Sequence, residues 1–498
     1  MRRLSVLSAL VALTLIPLGT AAGVRATSEQ AATLVNFELV GHNPLNMRGM
    51  NAALAIYDHY LYVGNRTDGA PNHINPGVLI LDIANPASPT IMGEIGPPNE
   101  GNRAETSREL RVWPQQKLLM VMNFGCSALI HECVGTNDVS SMVTPTVKFY
   151  DLSQTPAAPP LIATYTPTRL NHEMFLWVDP NRSGRALLYQ TTPTSSTTQP
   201  NLIVTDISRA RENVFTEVVR WRGADLYSAA DRNTFDVRLH SIGVSPDGKR
   251  TYLAFLGGGF FIIDTSDLAN NVATPEIRVV TPIENKLSWG DPGAHSSVKI
   301  PGRNMVLMTD EVYGDYVDPI TGANHGCPWG WVRIIDTTVE SQPVIISEFK
   351  IAENQAAYCQ TVDGMDPSNV TFTSYSSHNP TVLRDVAFVT WHSGGFRAIN
   401  LANPAAPTEA GLFIPDPLPV VVTEDQALSM GRNKVVMWSY PIIKDGLIYT
   451  IDLRNGLYIL RYTGPGSASV DRIKFLEGNS NLGDAVCRKT SRRTSVPC

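Results

Sequence analysis

Four histidines recur at one position of a repeated unit. His172, His240, His295 and His378 each stand seven residues before the first turn of their unit, at Asp179, Asp247, Gly302 and Asp385. The same count back from Asp58, Gln115 and Asp445 reaches Asn51, Arg108 and Trp438. Neutral imidazole nitrogen is a good ligand for copper, iron, nickel and zinc. Four imidazoles gathered from separate repeats could therefore hold a transition metal with no local sequence motif. Copper or iron is the leading expectation and zinc the weaker one, with oxidoreductase chemistry at an open coordination position. Asp310 and Glu311 could add a carboxylate or orient a ligand histidine, and His392 is a further candidate. Arg108 would repel a cation but could grip an anionic substrate with two hydrogen bonds. Two other readings stay open. Repeats copied from one ancestor would inherit the same histidine, whose ring could simply bond nearby backbone or water. The site could also be catalytic without metal.

The elements that must position these residues are short strands. The third strand of each unit is the clearest: Gly77–Asp82, Thr146–Asp151, Asn201–Asp206, Gly259–Asp264, Trp331–Asp336, Gly395–Asn400 and Gly456–Arg461. Such β-branched and aromatic runs are strand signals. The closing Asp or Asn can accept a hydrogen bond from the backbone two residues on and so start a turn, which makes a structural role the expected one. Pro-bounded fourth strands follow, as at 85–94 and 403–411, where proline suits an edge. Seven repeats of this size predict an all-β, seven-bladed β-propeller over residues 33–463. The seventh unit lacks a fourth strand, and Leu34–Gly41 is a spare one. The economical expectation is that this N-terminal strand completes the last blade and removes open edges. An open β-solenoid is the alternative. Residues 464–498 carry no strand pattern and are expected to lie on the surface as a tail.

In a propeller the first strand lines the central channel, so the recurring positions would crowd at one mouth. Loops between second and third strands reach the same face, bringing Asn65, Arg66, Asn123, Asp310, Glu311, His392, Asp452 and Arg454. Long loops on a rigid scaffold commonly carry binding. Asp315, Asp318 and Asn324, within the 312–330 loop, offer oxygen ligands for calcium, although such acids are more often simply solvated.

Bulk properties narrow the partners. The chain has 498 residues, a net charge of −6 and only 17% charged residues. Nothing in that balance suggests nucleic acid. Residues 1–26 read as a secretory signal: Arg2 and Arg3, an apolar stretch to Leu18, then a small-residue cleavage pattern. After its removal no segment is long and apolar enough to span a bilayer. A secreted chain meets an oxidising compartment, where six cysteines suit disulfides. Proximity favours Cys126–Cys133 and Cys487–Cys498, which leaves Cys327–Cys359, although sequence alone permits other pairings. Expected partners are a small molecule or an extracellular protein or glycan. A non-enzymatic propeller that binds such a partner through its loop-rich face is the alternative to a metal-dependent oxidoreductase.

The third-strand pattern with its Asn-Pro-x-x-Pro tail resembles the LVIVD-repeat family of secreted bacterial β-propellers, over roughly residues 34–463. That resemblance implies export and a propeller, with no single chemistry. Ser377-His378-Asn379-Pro380 followed by Thr390-Trp391-His392-Ser393-Gly394-Gly395 is similar in kind to histidine-bearing hairpins of the selenium-binding protein and methanethiol oxidase propellers. The cysteine motifs of those propellers are absent here.

Overall fold

In a computed structural model the chain forms seven antiparallel sheets arranged as blades. The structure describes residues 32–98, 105–123, 144–289, 293–312, 316–317, 324–325, 327–360, 374–425 and 434–483. The signal segment, Cys126, Cys133, Cys487, Cys498, Asp315 and Asp318 lie outside them. Asn324 lies in a short strand pair with Val317, and its side chain is not described.

The innermost strands are Asn51–Tyr57, Glu109–Trp113, Met174–Val178, Ser241–Val244, Ala294–Lys299, Pro380–Val382 and Ile442–Lys444. They are buried almost throughout, because one face packs inside its blade and the other meets the neighbouring blade. Close approach near the axis selects glycine at one point: a Cβ on Gly243 would run into the carbonyl of Ser297 in the next blade.

The acids that end the third strands do what their turn chemistry predicts. Asp82, Asp151, Asp206, Asp264 and Asp336 accept from the backbone N–H two residues on at 2.7–2.9 Å. Asn400 does the same for Ala402 at 2.9 Å. These groups shape turns and are not placed for chemistry.

The N-terminal segment is divided between two blades. Thr33–Val35 pairs with Thr408–Ile414 of the sixth sheet, and Phe37–Asn43 pairs with Gly456–Tyr462 of the seventh. The sequence pattern reads as one strand from 34 to 41. The break falls at Asn36, whose left-handed φ of 56° turns the chain, and its amide donates to Ala410 O at 2.8 Å. Phe37 then packs among Phe388, Phe396 and Tyr462, joining sheets six and seven.

The tail departs further from expectation. Phe475–Glu477 forms a strand against Ile442–Lys444, the innermost strand of blade seven. The chain then continues into the channel end opposite the histidines. Asn479 O accepts from the N–H of Leu176 at 3.2 Å. The Asn481 amide donates to Val178 O at 2.7 Å and accepts from Val178 N at 2.8 Å. Inner strands leave unsatisfied backbone groups at the channel wall, and this segment satisfies some of them. Leu476, Glu477, Gly478, Ser480 and Asn481 line a cavity at that end together with Phe175, Gly243 and Lys299.

Candidate metal centre

The common register brings the histidines together. Ring centroids step from His172 to His240 (4.4 Å), to His295 (4.1 Å), to His378 (4.0 Å) and to His392 (5.0 Å). All are buried except His172, which is partly exposed at the mouth.

Glu311 sits at the centre. It follows the second strand of blade five and turns inward, whereas Asp310 turns away to pair with Arg333 and accept from Trp289 Nε1 at 2.9 Å. Glu311 Oε1 lies 3.0 Å from His378 Nε2 and 4.0 Å from His392 Nε2. Oε2 lies 3.3 Å from Nε2 of both His240 and His295. His172 Nε2 lies 2.9 Å from His240 Nε2.

The outer ring nitrogens of His378, His295 and His392 are held by the scaffold. His378 Nδ1 is 2.6 Å from the carbonyl oxygen of Trp438, which can only accept, so Nδ1 carries the proton. His295 Nδ1 contacts Ser296 Oγ at 2.7 Å and His392 Nδ1 contacts Ser374 Oγ at 3.1 Å. Outer nitrogen bonded to the protein and inner nitrogen facing a common point is how metal-ligating histidines are oriented.

Electrostatics favour neutral rings. Burial is the largest cause holding His172, His295 and His392 well below the ordinary histidine value, and it pushes His240 down to about 3. Neighbouring imidazoles and Arg108 or Arg66 push the same way at several of these rings. Burial alone would raise Glu311, but His295, His378 and His240 hold it well below the usual carboxylate range. Neutral imidazole and ionised carboxylate are the forms a metal needs.

A neutral His378 has one ring proton, and Trp438 takes it. Its Nε2 lone pair then faces a carboxylate oxygen at 3.0 Å. Two acceptors at that distance need positive charge between them, either a second proton or a cation. The spacing fits a cation. Ligand atoms about 2.0–2.1 Å from a tetrahedral ion are roughly 3.3 Å apart, and the nitrogen–carboxylate separations here are 3.0–3.3 Å. His295, Glu311 and His378 form one group able to hold a metal ion.

The other recurring positions add no imidazole to the cluster. Asn51 accepts from Arg48 Nε at 2.8 Å and donates to Leu453 O at 3.1 Å. Trp438 stacks on His392 at 4.9 Å and carries the Arg66 guanidinium on its ring at 3.9 Å. Arg108 is buried near the histidines and contributes positive charge there. Asp452 accepts from the backbone N–H groups of Val436, Arg454 and Asn455, and Arg454 pairs with Glu424.

Glu173 is absent from the sequence expectations. Its Oε1 lies 3.9 Å from His240 Nδ1 and 3.8 Å from His295 Nε2, and these three residues form a second group able to hold a metal ion. Burial, then Glu109, pushes its carboxyl up to about 8.

Fold and site together define a seven-bladed β-propeller whose histidine- and glutamate-lined channel mouth can hold a metal ion. Its sequence matches the LVIVD repeat at residues 48–95 and 240–273, so the chain is a β-propeller that carries this repeat. That match does not reach the hairpin bearing His378 and His392, so the likeness to selenium-binding propellers gains nothing from it. No curated protein matches the chain. Among solved structures it is similar to a Lactobacillus plantarum protein (TM-score 0.45, 10% identity, 74% of this chain and 86% of that one). It is also similar to Saccharomyces cerevisiae Sqt1 (0.44, 8%, 86% and 99%). Chaetomium thermophilum Sqt1, solved bound to the N-terminus of ribosomal protein L10, gives 0.44, 11%, 84% and 89%. The propeller assignment rests on the strand pairing itself.

Proposed function

We propose that the chain is an exported metalloprotein that holds iron or copper at the channel mouth and uses it for oxidoreductase chemistry on a small molecule. The observation that carries this reading is His378: Nδ1 donates to Trp438 O while Nε2 faces Glu311 Oε1 at 3.0 Å. Two histidines and one carboxylate, as in His295, His378 and Glu311, suit non-haem iron with open positions, and adding His240 and His172 makes the set richer in nitrogen, which suits copper. A metal there would supply redox or Lewis-acid chemistry. The chain's own groups would hold the ion, wall the site with Trp438 and His392, and attract an anionic group through Arg108 and Arg66. Export is supported by the basic-then-apolar leader and by the Cys327–Cys359 disulfide, a bond suited to an oxidising compartment.

The test is elemental analysis, with an absorption spectrum, of protein purified without a histidine tag. Wild type should retain metal near one equivalent or more, and a His295→Ala, His378→Ala double variant should lose most of it. Wild-type protein that neither retains nor takes up iron or copper would refute the reading.

A further inference from the structure

At the channel end away from the histidines, a cavity of about 180 Å³ lies between the inner strands and the tail. Phe175, Val244, Ile300 and Val382 reach it from four neighbouring blades, and Leu476 reaches it from the tail. All five are buried apolar side chains. The space is close in size to an engineered apolar cavity of about 150 Å³ that accepts benzene.

One cation stands in this wall. Lys299 ends the innermost strand of blade five and is half-buried. Among the described residues its ammonium makes no ion pair, and its neighbour is the Tyr252 ring, with the centroid at 5.8 Å. The acids whose charge it feels are engaged elsewhere. Glu340 pairs with Arg250 at 2.7 Å, and Asp336 accepts from Thr338 N at 2.7 Å. Burial pushes the ammonium down to about 8, as it does for a charge short of compensation. Glu477, in the same wall, is not its partner. It accepts from Ser480 Oγ, burial raises its carboxyl, and the cation acting on it is Arg111.

We propose that this cavity binds a small monocarboxylate whose apolar body is about the size of one aromatic ring, with Lys299 holding the carboxylate. The apolar walls fix the body of the ligand, and the unpaired Lys299 fixes its charge. An ion pair made at a half-buried ammonium is screened less than one on open surface. A neutral ligand would leave Lys299 uncompensated, and a dianion would exceed it. This binding does not depend on metal at the histidine end.

The experiment is titration calorimetry of chelator-treated full-length protein with benzoate, and with benzyl alcohol as an uncharged ligand of similar size. Wild type should bind benzoate more tightly than benzyl alcohol. Lys299→Met keeps an apolar stem and should weaken benzoate by roughly tenfold or more, the loss of one charged hydrogen bond, while leaving benzyl alcohol unchanged. Val382→Trp fills the cavity and should abolish benzoate binding. Circular dichroism should show both variants folded. If Val382→Trp is not, Val382→Met, a smaller filling, should still weaken benzoate. Benzoate binding that survives the filling lies elsewhere, at the arginines of the channel mouth, and overturns the proposal. Equal benzoate affinity in wild type and Lys299→Met overturns it too, as does no benzoate binding by wild type. Each of these results leaves the metal reading untouched.

Discussion

His378 lies between the backbone carbonyl of Trp438 and the carboxylate of Glu311. The ring gives an N–H to Trp438 O at 2.6 Å, and its other nitrogen meets the Glu311 carboxylate at 3.0 Å. That contact needs a second proton or a cation, and the proposed metal would supply the charge. Glu311→Gln should therefore weaken metal retention by at least roughly 10–100-fold, the loss typical when even an outer partner of a ligand is removed. Competition with a chromogenic chelator measures it, and unchanged affinity would show that Glu311 is only a hydrogen-bond acceptor.

The same environment sets a pH profile for the metal-free protein. His172, His240, His295 and His392 have folded pKa values below the ordinary 6.5. The unfolded chain therefore binds protons first, and their contribution is lost as pH falls below 6.5 toward the folded values, about 3 for His240. Glu173 acts oppositely: raised from 4.5 to about 8, it favours the folded state below 4.5 and loses that contribution as pH rises toward 8. Burial also raises Asp310, Asp452 and Glu477, which act as Glu173 does; the four histidines oppose these carboxyls below 6.5, and above it the carboxyl slope remains. The melting temperature of chelator-treated protein should peak near neutrality and fall steeply on the acid side. Glu173→Gln should lessen the alkaline slope and leave the acid side unchanged. A profile flat from pH 7 to 5 would contradict the depressed histidines.

The tail inserted at the far end of the channel makes a separate prediction. Asn481 satisfies both backbone groups of Val178 and also reaches Pro246 O at 3.2 Å. Asn481→Ala leaves buried backbone unsatisfied and should cost about 1–3 kcal/mol. Hydrogen exchange should rise across 475–482 and at Val178 while the outer strands stay protected. Equal protection in both proteins would mean that the tail is held by other contacts.

Cys327 and Cys359 are bonded across 32 residues, beside Trp329, Tyr358 and Tyr375. By loop entropy, a Cys327→Ser, Cys359→Ser double variant should lose about 2–4 kcal/mol. Denaturant unfolding measures it, and a loss under about 0.5 kcal/mol would mean that the aromatic cluster holds the segment unaided.

Much of this architecture was legible in the residues because strands repeat with a period of two and turns need Asp or Asn. The third-strand acids announced the blades, and counting back from the first turns found His172, His240, His295 and His378. Glu311 was legible through its place after a second strand. Glu173 was not. A strand would send it to the face opposite His172, but the innermost strand begins only at Met174, so both side chains reach the cluster. The split at Asn36 turns on one residue's φ inside an otherwise continuous apolar pattern. Phe475–Glu477 is three residues long, too short to register as a strand until a channel wall offers it partners.

Anomalous diffraction from crystals of metal-loaded protein, collected at the absorption edge of the bound iron or copper, tests the central claim most directly. The account predicts a peak within roughly 2.0–2.3 Å of histidine Nε2 atoms and a Glu311 oxygen at the channel mouth. A metal-loaded crystal with no peak there, or with its only peak outside the histidine cluster, would contradict it.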